Sequence, residues 1–482
     1  MQFQEIVCAM NHDMNTSYTI DNHPSLGHLV QEPSSKLLHL RPIDTLLSFM
    51  ISCQATRYSY PYIVHPIPNL WASIVGRLQR YPEEASYKTV VSFPLTSHEN
   101  HNISGIGTTP LLPLHAALCL KYSPPPIHVV EALIAAYPEA LVKRTSMGLT
   151  ALHLASNNLS RDHPEIVELI LHHAPQLVHV RSTLGHLPLH LARGPESTRL
   201  LIHAFPLGVT EPDNNGNLPL HYAVGNVEIA SESVQVLLDA GYELQCNNSD
   251  HRLHAFRSCG TLVSNQSGIH PLKVSHDVVK NCIARNELED DKTLVAWKKF
   301  TSCLLALTVS DGNHDSPTIL HLSVSLFQDS PLLHFAIARH FQDALIVDAM
   351  GRLPLHVALM KKSIPKDVIQ DLLQVHPKAA SVTDATGRTP LHHACLTGRD
   401  FHDGIIDVVR GAPDALFIRD VETGLYPFMM AAIGPHSSLE TIYELLSCEP
   451  SIIKHYNDGQ PKRTKWNIRL YNYLSFLKTS FD

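Results

Sequence analysis

The chain has 482 residues, a length that at roughly 100–200 residues per domain predicts about three domains unless a repeat builds one long body. Its 37 basic and 45 acidic residues give a net charge of −8, which excludes a basic nucleic-acid binder on bulk electrostatics. With 17% of residues charged and 44% hydrophobic, disorder along the whole chain is excluded and a large buried core is required.

Residues 1–67 carry no periodic pattern and are expected to be irregular and in part disordered. Their start has no basic cluster and carries Glu5 early, unlike a secretory signal. The uncharged stretch from Tyr58 to Gly76 is broken by Pro61, Pro66 and Pro68, which a lipid-facing helix does not accommodate. The nine cysteines are scattered without a C-x-x-C pair and read as small buried residues of a reducing compartment. The expected location is intracellular and cytoplasmic, with the nucleus left open. Trp71 to Ala85 reads as the second helix of a unit whose beginning is unrecognisable, so residues 68–110 are expected to be a degenerate first repeat.

From residue 111 onward one phrase recurs. It stands as Pro113-Leu114-His115-Ala116-Ala117, Ala151-Leu152-His153-Leu154-Ala155, Pro188-Leu189-His190-Leu191-Ala192 and Pro219-Leu220-His221-Tyr222-Ala223. It returns around His321, His356 and His392, and once more at Pro427-Phe428-Met429-Met430-Ala431, where methionine replaces histidine. The spacing is near 36 residues. A glycine precedes the phrase by three residues at Gly148, Gly185, Gly216, Gly351, Gly387 and Gly424. Downstream lies a second amphipathic segment, such as Val368-Ile369-Gln370-Asp371-Leu372-Leu373, which ends near a proline.

Each part has a physical reading. The glycine supplies positive φ in a tight turn. Proline in the first turn of a helix loses no hydrogen bond. The second segment places apolar residues at i, i+3 and i+4 of a helix. Neither short helix buries its apolar face alone, so each unit must stack on the next.

The phrase and its flanks resemble the ankyrin repeat, whose signature is T-P-L-H-x-A at a period of 33 residues. The resemblance covers residues 111–246 and 318–456, with four repeats in each. The period here is longer, threonine before proline survives only as Thr389, and a proline-centred ending of the Tyr137-Pro138-Glu139-Ala140 type replaces the usual one. The resemblance implies an all-α, ankyrin-type solenoid of stacked helix-turn-helix repeats with short hairpin loops. Residues 247–317 between the two blocks read as an insertion plus a degenerate repeat. In that repeat Gly268, Pro271 and Leu272 keep register, Lys273 takes the place of histidine, and the second helix is expected over Leu294–Leu307. The acidic run Glu287–Asp291 reads as an exposed loop, and residues 457–482, with Trp466, as a capping helix.

No phosphate-binding glycine loop, nucleophile elbow, H-E-x-x-H or kinase signature is present in the sequence. The expectation is a protein without catalytic residues and without a cofactor. The seven phrase histidines, His115, His153, His190, His221, His321, His356 and His392, admit two readings. One is a metal ladder; the other is a set of rings bonded to backbone groups of adjacent turns. One ring per repeat does not converge on a single ion at 2.0–2.1 Å, so no metal is expected. The pair His251 and His254, beside Cys259, is the only local set with freedom to take one.

What changes from repeat to repeat is the hairpin tip. Arg144, Ser146, Met147, Arg181, Thr183, Asn214, Asn215, Met350, Thr386 and Glu422 are therefore the candidate partner contacts. The expected function is a non-catalytic protein–protein interaction scaffold using the concave and hairpin face. The expected chain is a monomer, with one or more protein partners, no nucleic acid and no membrane insertion. The alternatives are an enzyme or metal-binding accessory with its site in residues 247–317, or a structural spacer without a defined ligand.

Overall fold

The computed structural model describes residues 70–86, 89–92, 108–119, 125–157, 162–247, 260–285, 290–308, 317–433 and 438–452. Residues 1–67 and 457–482, with Trp466, lie outside them, as do His251, His254, Cys259 and Glu287. The described chain is helical, with one short antiparallel strand pair, and divides into two bodies.

The first body begins with α1 (Leu70–Arg80), which ends on a 3-10 turn at Pro82–Ser86. Within this segment Arg77 grips the buried carboxylate of Glu84 with two nitrogens, at 2.8 and 3.1 Å. The strands are β1 (Thr89–Ser92) and β2 (Thr108–Leu111), paired from Thr89 opposite Leu111 to Ser92 opposite Thr108. This ribbon has no counterpart in the sequence reading of residues 68–110.

Four helix pairs follow: α2 (Pro113–Leu118) with α3 (Ile127–Ala136), α4 (Ala151–Ser156) with α5 (Pro164–His173), α6 (Pro188–Leu191) with α7 (Pro195–Ala204), and α8 (Pro219–Gly225) with α9 (Ser231–Asn247). First helices pack on first helices and second on second, and α1 packs on α3. Helix α10 (Pro271–Ala284) comes next, and α11 (Asp291–Leu305) packs on α8 and α9. Helix α11 starts earlier than the sequence suggested. Asp290 sits at its N-cap position and Asp291 in its first turn, where negative charge suits the helix dipole.

The second body repeats the arrangement with α12 (Ile319–Leu326) and α13 (Ser330–Arg339), α14 (Pro354–Leu359) and α15 (Lys366–Val375), α16 (Pro390–Leu396) and α17 (Ile406–Gly411), and α18 (Pro427–Ile433) and α19 (Leu439–Cys448). The same like-on-like packing runs from α12 to α18 and from α13 to α17.

The core is built from the short first helices and one stripe of each second helix. Pro354, Leu355, Val357, Ala358 and Leu359 are buried in α14, and Val368, Ile369 and Leu372 in α15. Second helices stop at an extended residue before proline, such as Tyr137, Ala174 or His376, because proline disfavours the helical conformation one residue earlier. The proline then opens a 3-10 turn, for example Pro377–Ser381. Among the described residues no helix is long and apolar enough to cross a membrane.

Two glycines show why the hairpins demand that residue. Gly185 has φ 83°, and a Cβ there would lie 2.7 Å from the backbone nitrogen of Asn214 in the next hairpin. Gly351 has φ 70°, with the nitrogen of Ala385 3.0 Å from the Cβ position. Left-handed backbone and close approach of the next unit act together.

Inside and outside are thus assigned residue by residue. Leu355→Ala, at a side chain 2% exposed, should cost about 2–5 kcal/mol through lost burial and the cavity left behind. Met350→Ala, at a side chain 51% exposed, should stay within about 0.5 kcal/mol. Urea unfolding of both variants measures the difference, and comparable losses would reverse the assignment.

Candidate functional site

The phrase histidines sit at the third residue of each first helix, pointing back at its start. The ring Nδ1 accepts the backbone N–H of the N-cap residue: Thr150 to His153 (3.2 Å), Leu187 to His190 (3.1 Å), Leu218 to His221 (3.0 Å), Thr318 to His321 (3.3 Å), Leu353 to His356 (3.0 Å) and Thr389 to His392 (3.0 Å). This is half of a capping box, with imidazole in the place usually taken by Glu or Gln. Where the N-cap residue is threonine, its hydroxyl adds a second contact to Nδ1 at 2.8–2.9 Å.

Because Nδ1 accepts, the proton of the neutral ring is on Nε2, and Nε2–H donates onward. It reaches the carbonyl of His186 from His153, Asn217 from His190, Ile269 from His221 and Arg352 from His321, at 2.7–3.1 Å. Each of these carbonyls belongs to the hairpin of the following unit. His356 donates to Val382 and His115 to Ala140, both at 3.1 Å and closer in sequence. His392 keeps the Nδ1 bond, but its Nε2 makes none of good geometry among the described residues.

Burial pushes these rings well below the ordinary 6.5, to about 4 for His153, His221, His356 and His392 and to about 3 for His190. His321 shifts in the same direction for the same reason. A second proton on Nδ1 would face the N–H it now accepts.

The hairpins interlock through one backbone bond per neighbour: Thr183 N–H to Met147 O, Asn214 to Leu184, Gln266 to Asn215, Ala385 to Met350 and Val421 to Thr386, at 2.9–3.2 Å. Each hairpin is closed from inside by one acceptor. Asp213 takes the N–H groups of Asn215 and Asn217, Asp348 those of Met350 and Arg352, and Asp384 those of Thr386 and Arg388, at 2.7–2.9 Å. Ser182, Thr145 and Asn265 do the same with uncharged groups. These aspartates are buried turn-formers, although their place in the turn makes them look like tip residues in the sequence.

The candidate contacts fall into two groups. Arg144 donates to the Arg181 carbonyl (3.3 Å) and Thr183 to that of Met147 (2.9 Å). Arg181 binds Glu211 and the carbonyls of Gly185 and Pro212, and Asn214 donates to Thr183 (3.0 Å). Thr386 donates to Asp384 (2.6 Å), and Glu422 accepts from Arg388 (3.1 Å). All six spend polar groups on holding hairpins. Ser146, Met147, Asn215 and Met350 are exposed at the tips, beside Leu184 and Val421, the last 80% exposed.

The sequence reading missed a row of cations at the far ends of the first helices. Arg399, fully buried, donates to the carbonyls of Lys361, Ile364 and Asp403 and pairs with the Asp403 carboxylate at 3.1 Å. Lys361 reaches the Ser325 carbonyl, and Arg193 the side chain of Asn157 at 2.7 Å. Lys299 on α11 is also fully buried and donates to Ala223 and Asn226 at 2.9 and 2.6 Å, and burial pushes its ammonium down to about 7. Arg399, Lys361 and Lys299 satisfy backbone carbonyls at or just beyond helix ends, whereas Arg193 bonds a side chain there. At the start of α10 His270 accepts the Lys273 N–H at 3.1 Å, while Lys273 pairs outward with Asp277 at 2.7 Å, so neither side chain takes the ladder position.

Ser330, His334, Asp367 and Asp371 meet on the second helices. The set resembles a nucleophile–base array, with the Ser330 hydroxyl 2.8 Å from Nε2, but that hydroxyl donates to Asp367 and both ring nitrogens are bonded to carboxylates. Among the described residues no group of three His, Cys, Asp or Glu side chains is placed to hold a metal ion.

The family model of the ankyrin repeat matches residues 147–181, which span the hairpin of Gly148, the phrase of His153 and helix α5. No curated protein matches the chain.

The neutral ladder gives stability a defined pH dependence. Its rings have lowered folded pKa values, so between pH 6.5 and about 4 the unfolded chain binds more protons and stability falls as pH drops. At pH 5.5 each ring should cost about 1 kcal/mol relative to pH 7.5. Asp384, held at about 2 against an ordinary 3.8, loses its contribution only below that range. The urea midpoint should therefore fall from pH 7.5 to 5.5, and a chelator at pH 7.5 should leave it unchanged. An unchanged midpoint at pH 5.5 would mean that the rings are charged in the fold.

Proposed function

We propose, on the premise that this is an ankyrin-repeat chain, that it works as a non-catalytic scaffold for protein–protein interaction, binding through its row of hairpin tips. The observation that carries this reading is the division of labour within each hairpin. The backbone bonds, the inner acceptor and the positive-φ glycine recur from unit to unit, while the outward side chains differ. A fixed frame with variable, exposed tips holds a partner in register without rebuilding the fold.

On this reading the repeats of 111–246 and 318–456 form the binding blocks. In the first body the contacts centre on Ser146, Met147 and Asn215, with Leu184 adding apolar area; in the second, taken by itself, they centre on Met350, with Val421. Arg144, Arg181, Thr183, Asn214, Thr386 and Glu422 shape the tips around them. Exposed methionine and aliphatic side chains favour a partner that brings apolar groups of its own.

The test is affinity capture from native extract with the full chain, compared with Met147→Asp and Met350→Asp. Each variant should keep its melting temperature within about 2 °C, since a tip side chain contributes little stability. Each should also lose captured partners at least tenfold, as measured by mass spectrometry. Capture of the same partners at the same yield by both variants would rule out the tips.

A further inference from the structure

The second helices of two adjacent units carry an ion cluster that the ladder does not use. Ser330 and His334 lie one turn apart on α13, and Asp367 and Asp371 one turn apart on α15. His334 Nδ1 is bonded to Asp371, and Nε2 lies 2.9 Å from Asp367 and 2.8 Å from the Ser330 hydroxyl. That hydroxyl also donates to Asp367 at 2.6 Å. We propose that His334 is an acid-closed staple between α13 and α15, fastened when the ring is charged and loosened when it loses a proton.

The chemistry follows from the bonding capacity of imidazole. Both nitrogens face carboxylates, and both donate only in the imidazolium form. In the neutral ring one nitrogen presents a lone pair to a carboxylate, which is repulsive. Ser330 provides the alternative arrangement. Its hydroxyl turns from Asp367 to donate to Nε2, and the contact across Asp367 is given up. Partial burial opposes the charge, but the bonds to Asp367 and Asp371 outweigh it and raise the ring above its ordinary 6.5. Asp367 shifts down, against its own desolvation, through its bonds to Ser330 and His334.

The neighbouring charges are engaged elsewhere. Asp329 at the start of α13 pairs with Lys280 at 2.6 Å, and Arg339 lies over the Phe335 ring at 5.2 Å. Asp343 on the adjoining 3-10 turn accepts the Leu320 N–H. Lys366 faces Asp407 at 3.6 Å, and His321 on α12 belongs to the ladder. Against α15, Asp403 pairs with Arg399, and His376 binds the Ala344 carbonyl. Lys378 lies on the 3-10 turn after α15, and His402 on the turn before α17.

A raised histidine contributes stability that is fully present below the unfolded pKa of 6.5 and is lost as pH rises through the folded value. This is the reverse of the ladder. Two measurements on the full chain test the staple. Histidine-labelled nitrogen NMR, with His334→Gln identifying the signal, should show His334 protonated on both nitrogens at pH 6.5 and titrating above it. Hydrogen exchange of the α13 and α15 amides, corrected for intrinsic rate, should be about three- to fivefold faster in His334→Gln than in wild type at pH 6.0, and less than twofold faster at pH 8.5. Asp371→Asn should show the same pH-dependent loosening, and it serves if His334→Gln does not fold. A His334 signal titrating at or below about 6.5, or loosening of equal size at both pH values, overturns the proposal.

Discussion

A repeat whose first helix is four to eight residues long depends on its two ends, because most of its backbone groups lie in the end turns. The ladder imidazole answers this constraint at the N-terminal end. It accepts the N-cap N–H through Nδ1, which fixes the proton on Nε2, and that proton then bonds forward. A cap is worth about 0.5–2 kcal/mol, and a buried hydrogen bond about 1 kcal/mol net. One side chain thus joins local helix formation to contact with the following hairpin. Asn or Gln can accept and donate, but neither is rigid enough to hold the two groups at opposite ends of a flat ring.

The other ends of the first helices meet the same need with different chemistry. Lysine and arginine donate to open carbonyls, and they do so even where water is excluded, as at Arg399 and Lys299. Among the described residues Lys299 bonds backbone carbonyls and no carboxylate, and its lowered ammonium pKa reflects the cost of holding that charge in apolar surroundings. Imidazoles at one end and cations at the other leave the middle of each helix to Leu, Ala and Val, which pack like on like. Within the hairpin the structural work falls to the inner acceptor, the glycine and the polar side chains that bond neighbouring turns, and Ser146, Met147, Asn215 and Met350 stay exposed.

The division between frame and tip also explains what the sequence made legible. The period, the Gly–Pro–Leu–His spacing and the apolar stripe of the second helix recur as identity at fixed offsets, so the all-α repeat fold was readable. The cation row was not, because Arg193, Lys361 and Arg399 stand at different distances from their phrase histidines, and a motif defined by offset misses them. The inner acceptors Asp213, Asp348 and Asp384 were not legible for another reason. A turn aspartate looks exposed in a sequence, and only three dimensions show its carboxylate turned inward on N–H groups. The β1–β2 ribbon carries no signal at the repeat period. The cluster at His334 spans two units, and nothing in either helix alone distinguishes it from a solvated face.

Histidine therefore serves this chain in two opposed environments. In the ladder the ring is surrounded by a donor on one side and a carbonyl on the other, and only the neutral form fits both. At His334 the ring is surrounded by two carboxylates, and only the charged form does. The residue type is the same, but deep burial holds the ladder rings neutral, whereas at the less buried His334 the two carboxylates outweigh desolvation. Proton uptake on mild acidification thus strains the first-helix ladder while it fastens α13 to α15. Stability need not fall evenly along the chain, because nearest-neighbour terms in a repeat are separable. A unit joined to its neighbour by both kinds of histidine, such as that of His321 and His334, loses less of its coupling on acidification than one held by the ladder alone, such as that of His190.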